Sequence, residues 1–542
     1  MRNVNCRRGK IWDGLVGAVA IGIAFTLLTT IFGIAVLQVC GSKQSADSIA
    51  VAAMLSQQEA PPLTRGQLQA SDANGHFAVD LYRQLAKQES GKNIILSPYS
   101  ISVMLTMVAE GAVDQTLDQM IDAMHIPNGG LADIHFGQRG LRDSLIPVVP
   151  PALAARVAVL RAKLKETNEQ TTSLHQAKQF KQTYESMQAA EKLAEEINSI
   201  VDRISACELQ IASAMWVEQS YPIAPQFLSV IEPIYGTTIF PVEFKTQPEL
   251  ARLEINSWVA QQTSNRIENL LHSDSFTNLT RLLITNAVYF KGAWAEPFRT
   301  ERTEIKPFRL SEEGSIDVPL MHQWNFAAAS YAAFTATGEL FPSPREVNAE
   351  LNDDDPVLYP DDKGHTMLAL DYQGKRFQMI VLLPQSIKGL PDLEASLSYE
   401  VVQRWIGLLE RRAVNVWIPK FKLETNYQLE SVLRSLGITQ AFDREAQFDK
   451  LTTSERFRDR LRISGIVHRT SVDVNEVGTE AAAATIVEFD SVGEFLPPTR
   501  PFTPIFKADR PFMFLIRDRH TASILFWGRY ITPSVAAVSN TF

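Results

Sequence analysis

The spacing of apolar residues along the chain switches repeatedly between the helical and the extended period. Phe77, Leu81 and Leu85 recur every four residues and place one apolar stripe on a helix that opens near Ser71, with further helices expected to about Met124. Leu153, Val157, Leu160 and Leu164, and again Leu193, Ile197, Ile200 and Ile204, follow at intervals of four, three and four. Those intervals fit a helical hairpin with a coiled-coil-like seam, weakened by the polar residues of 167–182. The run Leu209 to Trp216 reads as a strand. A helix around 251–262 carries Ile255, Trp258 and Val259 on one face. Leu282 to Tyr289 is almost wholly apolar, as a strand covered on both faces should be. Phe377–Pro384 and Val414–Phe421 predict two more strands, and Leu429, Leu433 and Leu436 a helix stopped by Gly437.

A different kind of segment follows. Asn475-Glu476-Val477-Gly478-Thr479-Glu480-Ala481-Ala482-Ala483-Ala484-Thr485 is a glycine followed by a run of small residues, and alternation sets in from Val487 to Ser491. Small side chains lower the steric cost of threading a segment between two existing strands. Alternation lets that segment bury one face and wet the other. Thr479, Ala481, Ala483, Thr485, Val487 and Phe489 share one face, so the segment is able to live as an exposed loop and later become a strand.

That pattern resembles the reactive-loop hinge of the serpins, and other motifs follow in family order. Asn93–Ser102 resembles the family's approach to its second helix, Ile284–Trp294 its third central strand, and Arg510–Asp518 with Ile524–Arg529 its C-terminal strands. The resemblance runs from about Ser71 to Pro533. It implies an α+β fold: mixed β-sheets, surrounding helices and an exposed reactive-centre loop, here with an extra helical hairpin. The domain is expected at 71–533, with insertions at about 138–206 (the hairpin) and 333–363 (an acidic loop).

The resemblance also implies a mechanism and places its residues. The protein is expected to be a suicide substrate of a serine protease, with a covalent protease complex, a monomeric state and no catalytic residue of its own. The hinge is Glu476, Gly478, Thr479, Glu480, Ala481, Ala482, Ala483, Ala484 and Thr485. Family loop geometry puts the scissile bond at Val492-Gly493, with Phe495-Leu496 as the alternative. Those residues suit elastase-, chymotrypsin- or subtilisin-like targets. Ser97, Ser100, Asn286 and His468 match the polar cluster beneath the parting strands, and Trp294 the tryptophan where the loop enters the sheet. The alternative is a non-inhibitory relative: a carrier, chaperone or scaffold on the same fold.

Composition narrows the picture further. A formal charge of −9 argues against a dedicated nucleic-acid binder. Of the three cysteines only Cys207 lies in the expected domain, so no intradomain disulfide is available. No G-x-S-x-G, H-E-x-x-H or phosphate-binding glycine loop occurs. Neither a metal nor another cofactor is implied. The aspartates of 353–355 and 361–362, among prolines, read as a mobile acidic loop.

At the N-terminus, the basic tail 1–14 precedes an uncharged apolar run, Leu15 to Val39, long enough for the about 20 helical residues a bilayer core needs. A membrane anchor or uncleaved signal is expected there, or lipidation at Cys40, because Leu37-Gln38-Val39-Cys40-Gly41 resembles a lipobox. Residues 40–70 read as a linker and 534–542 as a tail. The expected placement is membrane-anchored, with the domain extracellular or periplasmic.

Overall fold

The computed structural model describes residues 62–145, scattered positions within 156–193, residues 207–478 apart from short gaps (237–238, 264, 274, 328, 349–350 and 454–460), and 499–533. The chain divides into Met1–Pro62 and one large unit, Leu63–Phe542, which holds every element named below. In chain order its strands are β1 (Ile94–Leu96), β2 (Cys207–Glu218), β3 (Ile239–Val242), β4 (Leu282–Gly292), β5 (Glu304–Arg309), β6 (Ser315–Phe326), β7 (Ala329–Phe334), β8 (Glu346–Asn348), β9 (His365–Asp371), β10 (Phe377–Pro384), β11 (Glu410–Arg411), β12 (Val414–Pro419), β13 (Phe421–Gln428), β14 (Gly465–Val474), β15 (Thr499–Pro501), β16 (Ile505–Lys507), β17 (Phe512–Asp518) and β18 (Ile524–Tyr530).

They form four sheets among the described residues: β13-β14-β4-β2-β3, β1-β18-β17-β10-β9-β7-β11, β16-β12-β6-β5 and the small pair β15-β8. With helices packed around them, this is the expected α+β fold. The predicted central strand is β4, buried at every position except half-buried Lys291. Its apolar run is explained by its place between β14 and β2, covered on both faces.

The first helix, Arg65–Gln88, buries the predicted stripe of Phe77, Leu81 and Leu85. It begins six residues before Ser71, inside the expected linker. Thr64 and Gln67 cap its start reciprocally, with Thr64 N donating to Gln67 Oε1 at 2.9 Å and Gln67 N to Thr64 Oγ1 at 3.3 Å. The residues buried by its first three turns are Ala70, Ser71, Ala73, Asn74 and Gly75, so the apolar period has no large apolar side chain to announce it.

A helix over Leu131–Leu145 leads into the first insertion. The described positions within 156–170 and 182–193 are helical, and Ser186 Oγ donates to Thr167 O at 3.4 Å between the two stretches. The second insertion departs from the mobile loop its composition suggests. It contributes β8, a 3-10 turn at Pro356–Leu358, and Val347 and Leu358, which form a small apolar cluster with Phe502 from beyond β15. The clustered aspartates hide two apolar anchors, Val347 and Leu358, too far apart to register as an element.

The candidate anchor 15–39 and Cys40 lie outside the described residues. The membrane-anchored placement is corrected: among the described residues no helix is long and apolar enough to cross a membrane.

Candidate functional site: the junction of the central strands

β14 and β4 run parallel and side by side, paired from Gly465↔Leu283 to Ser471↔Tyr289. Beyond Ser471, β14 continues to pair with β13 as far as Val474, and β4 with β2 as far as Gly292, but no longer with each other. The central pair is therefore joined at one end and parted at the other.

The joined part carries a buried polar network. His468 and Asn286 are register partners across the junction. His468 Nδ1 lies 2.6 Å from Asn286 Oδ1, which also accepts from Ser100 Oγ at 2.7 Å. A carbonyl oxygen only accepts, so Nδ1 carries the proton and Nε2 is free to accept. Ser97 N donates to Nε2 at 3.1 Å, and Thr470 Oγ1 sits 2.6 Å from it. Asn286 Nδ2 donates onward to Ser213 Oγ at 2.6 Å, on the next strand, β2. The ring is wholly buried, and burial pushes its pKa down to about 3, so it is neutral at physiological pH. The four predicted residues Ser97, Ser100, Asn286 and His468 thus meet at one point and link β14, β4 and the start of the helix Pro98–Glu110. Thr470 and Ser213 escaped the sequence reading. Thr470 was findable, since two residues along a strand returns to the same face.

At the parted end, Trp294 Nε1 donates to Asn475 O at 3.0 Å and Trp294 N to Val477 O at 2.9 Å. The indole stacks on Tyr372, with centroids 4.6 Å apart. The Glu476 carboxylate accepts from Thr303 Oγ1 at 2.8 Å and pairs with Lys420 Nζ at 3.1 Å. Burial would raise its pKa, but its own backbone amide, Thr303 and Lys420 outweigh that and leave it below the usual carboxylate value. Gly478 closes a tight turn with Asn475 and bridges Ala293. Its φ is +127°, and a Cβ there would lie 2.3 Å from Gly292 O. This glycine is required by close backbone approach as much as by any freedom of motion.

The hinge residues Thr479, Glu480, Ala481, Ala482, Ala483, Ala484 and Thr485, and both candidate bonds, Val492-Gly493 and Phe495-Leu496, lie outside the described residues. The described chain resumes at Thr499, in β15.

A family model described as serpin, serine protease inhibitor, matches residues 72–533. The chain belongs to the serpin family. It is accordingly a protease-inhibitor-type protein and no enzyme. It is 32% identical over 477 residues to a leukocyte elastase inhibitor of Bos taurus, covering 86% of this chain and 100% of the relative. It is 32% identical over 471 residues to Serpin B3 of Homo sapiens, covering 85% and 99%. Among solved structures, human thyroxine-binding globulin in complex with its hormone superposes with a TM-score of 0.62 at 25% identity, covering 86% of this chain and 100% of that one. These relatives complete the correction of the expected localisation. They are matched over essentially their whole length by a part of this serpin, so the likeness carries no membrane-tethered, extracellular or periplasmic placement.

Proposed function

We propose that this serpin is an inhibitor that traps serine proteases as a suicide substrate. The observation that carries the reading is the central junction: two parallel strands that are direct neighbours, joined over seven register pairs and parted beyond Ser471 and Tyr289. A segment that enters between them runs antiparallel to both and gains a ladder on each side. The loop that starts at Gly478 has the small, alternating residues such an entry requires.

In this reading the target protease attacks its bait bond with its own nucleophile and forms an acyl-enzyme. Cleavage at Val492-Gly493, or at Phe495-Leu496, frees the segment after Gly478. That segment inserts, draws the attached protease with it and deforms the protease active site. About a dozen new ladder bonds at roughly 1 kcal/mol each give a driving force on the order of 10 kcal/mol. Val492 favours elastase-like enzymes and Phe495 chymotrypsin-like or subtilisin-like ones. The likeness to an elastase inhibitor supports the first. The small hinge residues supply speed, because insertion has to outrun deacylation.

The test mixes the protein with elastase-, chymotrypsin- and subtilisin-like proteases, resolves the products on denaturing gels and heats the cleaved protein. A covalent high-mass band and a large gain in heat stability are expected. Clean cleavage with neither would overturn the reading. It would favour a carrier role instead, for which the likeness to thyroxine-binding globulin is the support.

A further inference from the structure

The acidic insertion grips the chain on the far side of the bait loop. β15 pairs antiparallel with β8, Arg500 opposite Val347. Arg500 Nη1 donates to Asp353 Oδ1 at 2.6 Å, and Nη2 donates to Leu351 O. Phe502 is buried against Val347 and Leu358, with the Arg412 guanidinium 5.6 Å over its ring. Arg412 Nη2 also donates to both Pro344 O and Phe502 O at 2.9 Å. Tyr359 Oη accepts from Ile505 N at 2.8 Å and donates to Asp353 O at 2.7 Å. Every residue from Thr499 to Phe502 is thus held by the insertion, as is Ile505, where the chain enters β16.

We propose that the second insertion, at about 333–363, is a clamp on the distal leg of the loop, with Arg500 and Asp353 at its centre, and that it makes entry of the loop into the five-stranded sheet depend on cleavage. The inference rests on the inhibitory reading above. A loop held at both ends enters the sheet only if one end lets go.

The lengths make this concrete. Residues 479–498 number twenty. Insertion of a dozen carries the chain about 40 Å down the sheet from Gly478, at about 3.3 Å per residue. The remaining eight reach back at most about 28 Å. β16, into which the clamped leg runs, belongs to the end the loop starts from. Lys507 lies opposite Trp417, and Lys420, three residues on, pairs with Glu476 beside Gly478. An uncut loop therefore cannot insert so far while β15 stays on β8. Cleavage upstream of Thr499 removes the constraint without disturbing the clamp, so the cut loop inserts freely while the severed C-terminal piece stays in place. Arg500 and Asp353 are positioning residues. They touch no reacting atom.

The experiment uses the uncleaved full chain and three variants: Arg500→Ala, Asp353→Asn, and the charge swap Arg500→Asp with Asp353→Arg. Each is held at a mildly elevated temperature. The readout is the fraction of full-length protein that has become heat-resistant and no longer forms the covalent protease band. Loss of one partly buried, charge-assisted pair should speed this conversion roughly tenfold in both single variants, and the swap should return it toward the wild-type rate. Conversion at the wild-type rate in both single variants overturns the clamp. So does a loss of active protein by aggregation with no heat-resistant, full-length species, because that is what a merely structural role would produce. Cleaved wild-type protein serves as the reference. If it gains no heat stability, the inhibitory reading itself fails. If it does and the variants convert no faster, only the clamp fails.

Discussion

Replacing His468 by alanine tests the central junction most directly. The ring is fully buried, and its removal leaves a cavity of the kind that costs about 2–5 kcal/mol. It also leaves Ser97 N–H with no acceptor in the interior, at about 1–3 kcal/mol. A total of about 4 kcal/mol at pH 7 is expected, allowing for relaxation around the site. The pH dependence is the sharper signature. Burial holds the folded pKa at about 3, against the ordinary histidine value of 6.5, so the unfolded chain takes up the proton first. The histidine's contribution is therefore complete above about pH 6.5 and is lost as pH falls toward 3, at up to about 1.4 kcal/mol per pH unit. From pH 7 to pH 5 the wild-type protein forfeits about 2 kcal/mol through this group. The variant has no such group, so its deficit should shrink from about 4 to about 2 kcal/mol. His365 and His322, whose pKa values burial lowers to about 4, add acid sensitivity to both proteins and cancel in the difference. Urea unfolding at pH 7 and pH 5 gives the two gaps, with thermal melts as a check. A gap that stays constant or widens on acidification would show that His468 is not held neutral in this network. An unchanged stability at pH 7 would show that it ties nothing together.

Three further outcomes are expected. Gly478→Ala forces a Cβ to within 2.3 Å of Gly292 O at a φ of +127°, so strain at the parted end should cost the protein about 2 kcal/mol or more; a melting curve identical to wild type would contradict that. Trp294→Phe keeps an aromatic ring against Tyr372 but deletes the indole donor to Asn475 O, for a loss of about 1 kcal/mol. Hydrogen exchange at Asn475–Gly478 should rise in this variant, and unaltered protection there would argue against the bond. On the proposed suicide-substrate reading, Thr479→Arg should leave cleavage intact and abolish the covalent band on gels; equal trapping by the variant would discredit insertion as the mechanism.

Apolar periodicity and local motif were enough to place the central strand at Leu282–Tyr289, the stripe of Phe77, Leu81 and Leu85, and the family, because burial on both faces of a strand or one face of a helix writes itself directly into residue type. The four residues of the junction could be named in advance through the family resemblance. Their bonding could not, since the proton on His468 Nδ1 follows from which atom of Asn286 faces it, and that depends on the register of β14 against β4. The same limit explains the misses. The helix start at Thr64 was hidden because small residues fill its first turns. The acidic insertion looked mobile because its anchors, Val347 and Leu358, are covered by Phe502, which is distant in sequence and arrives only when β8 pairs with β15. Composition reports what a segment costs to bury; only the folded chain decides which partner arrives to cover it.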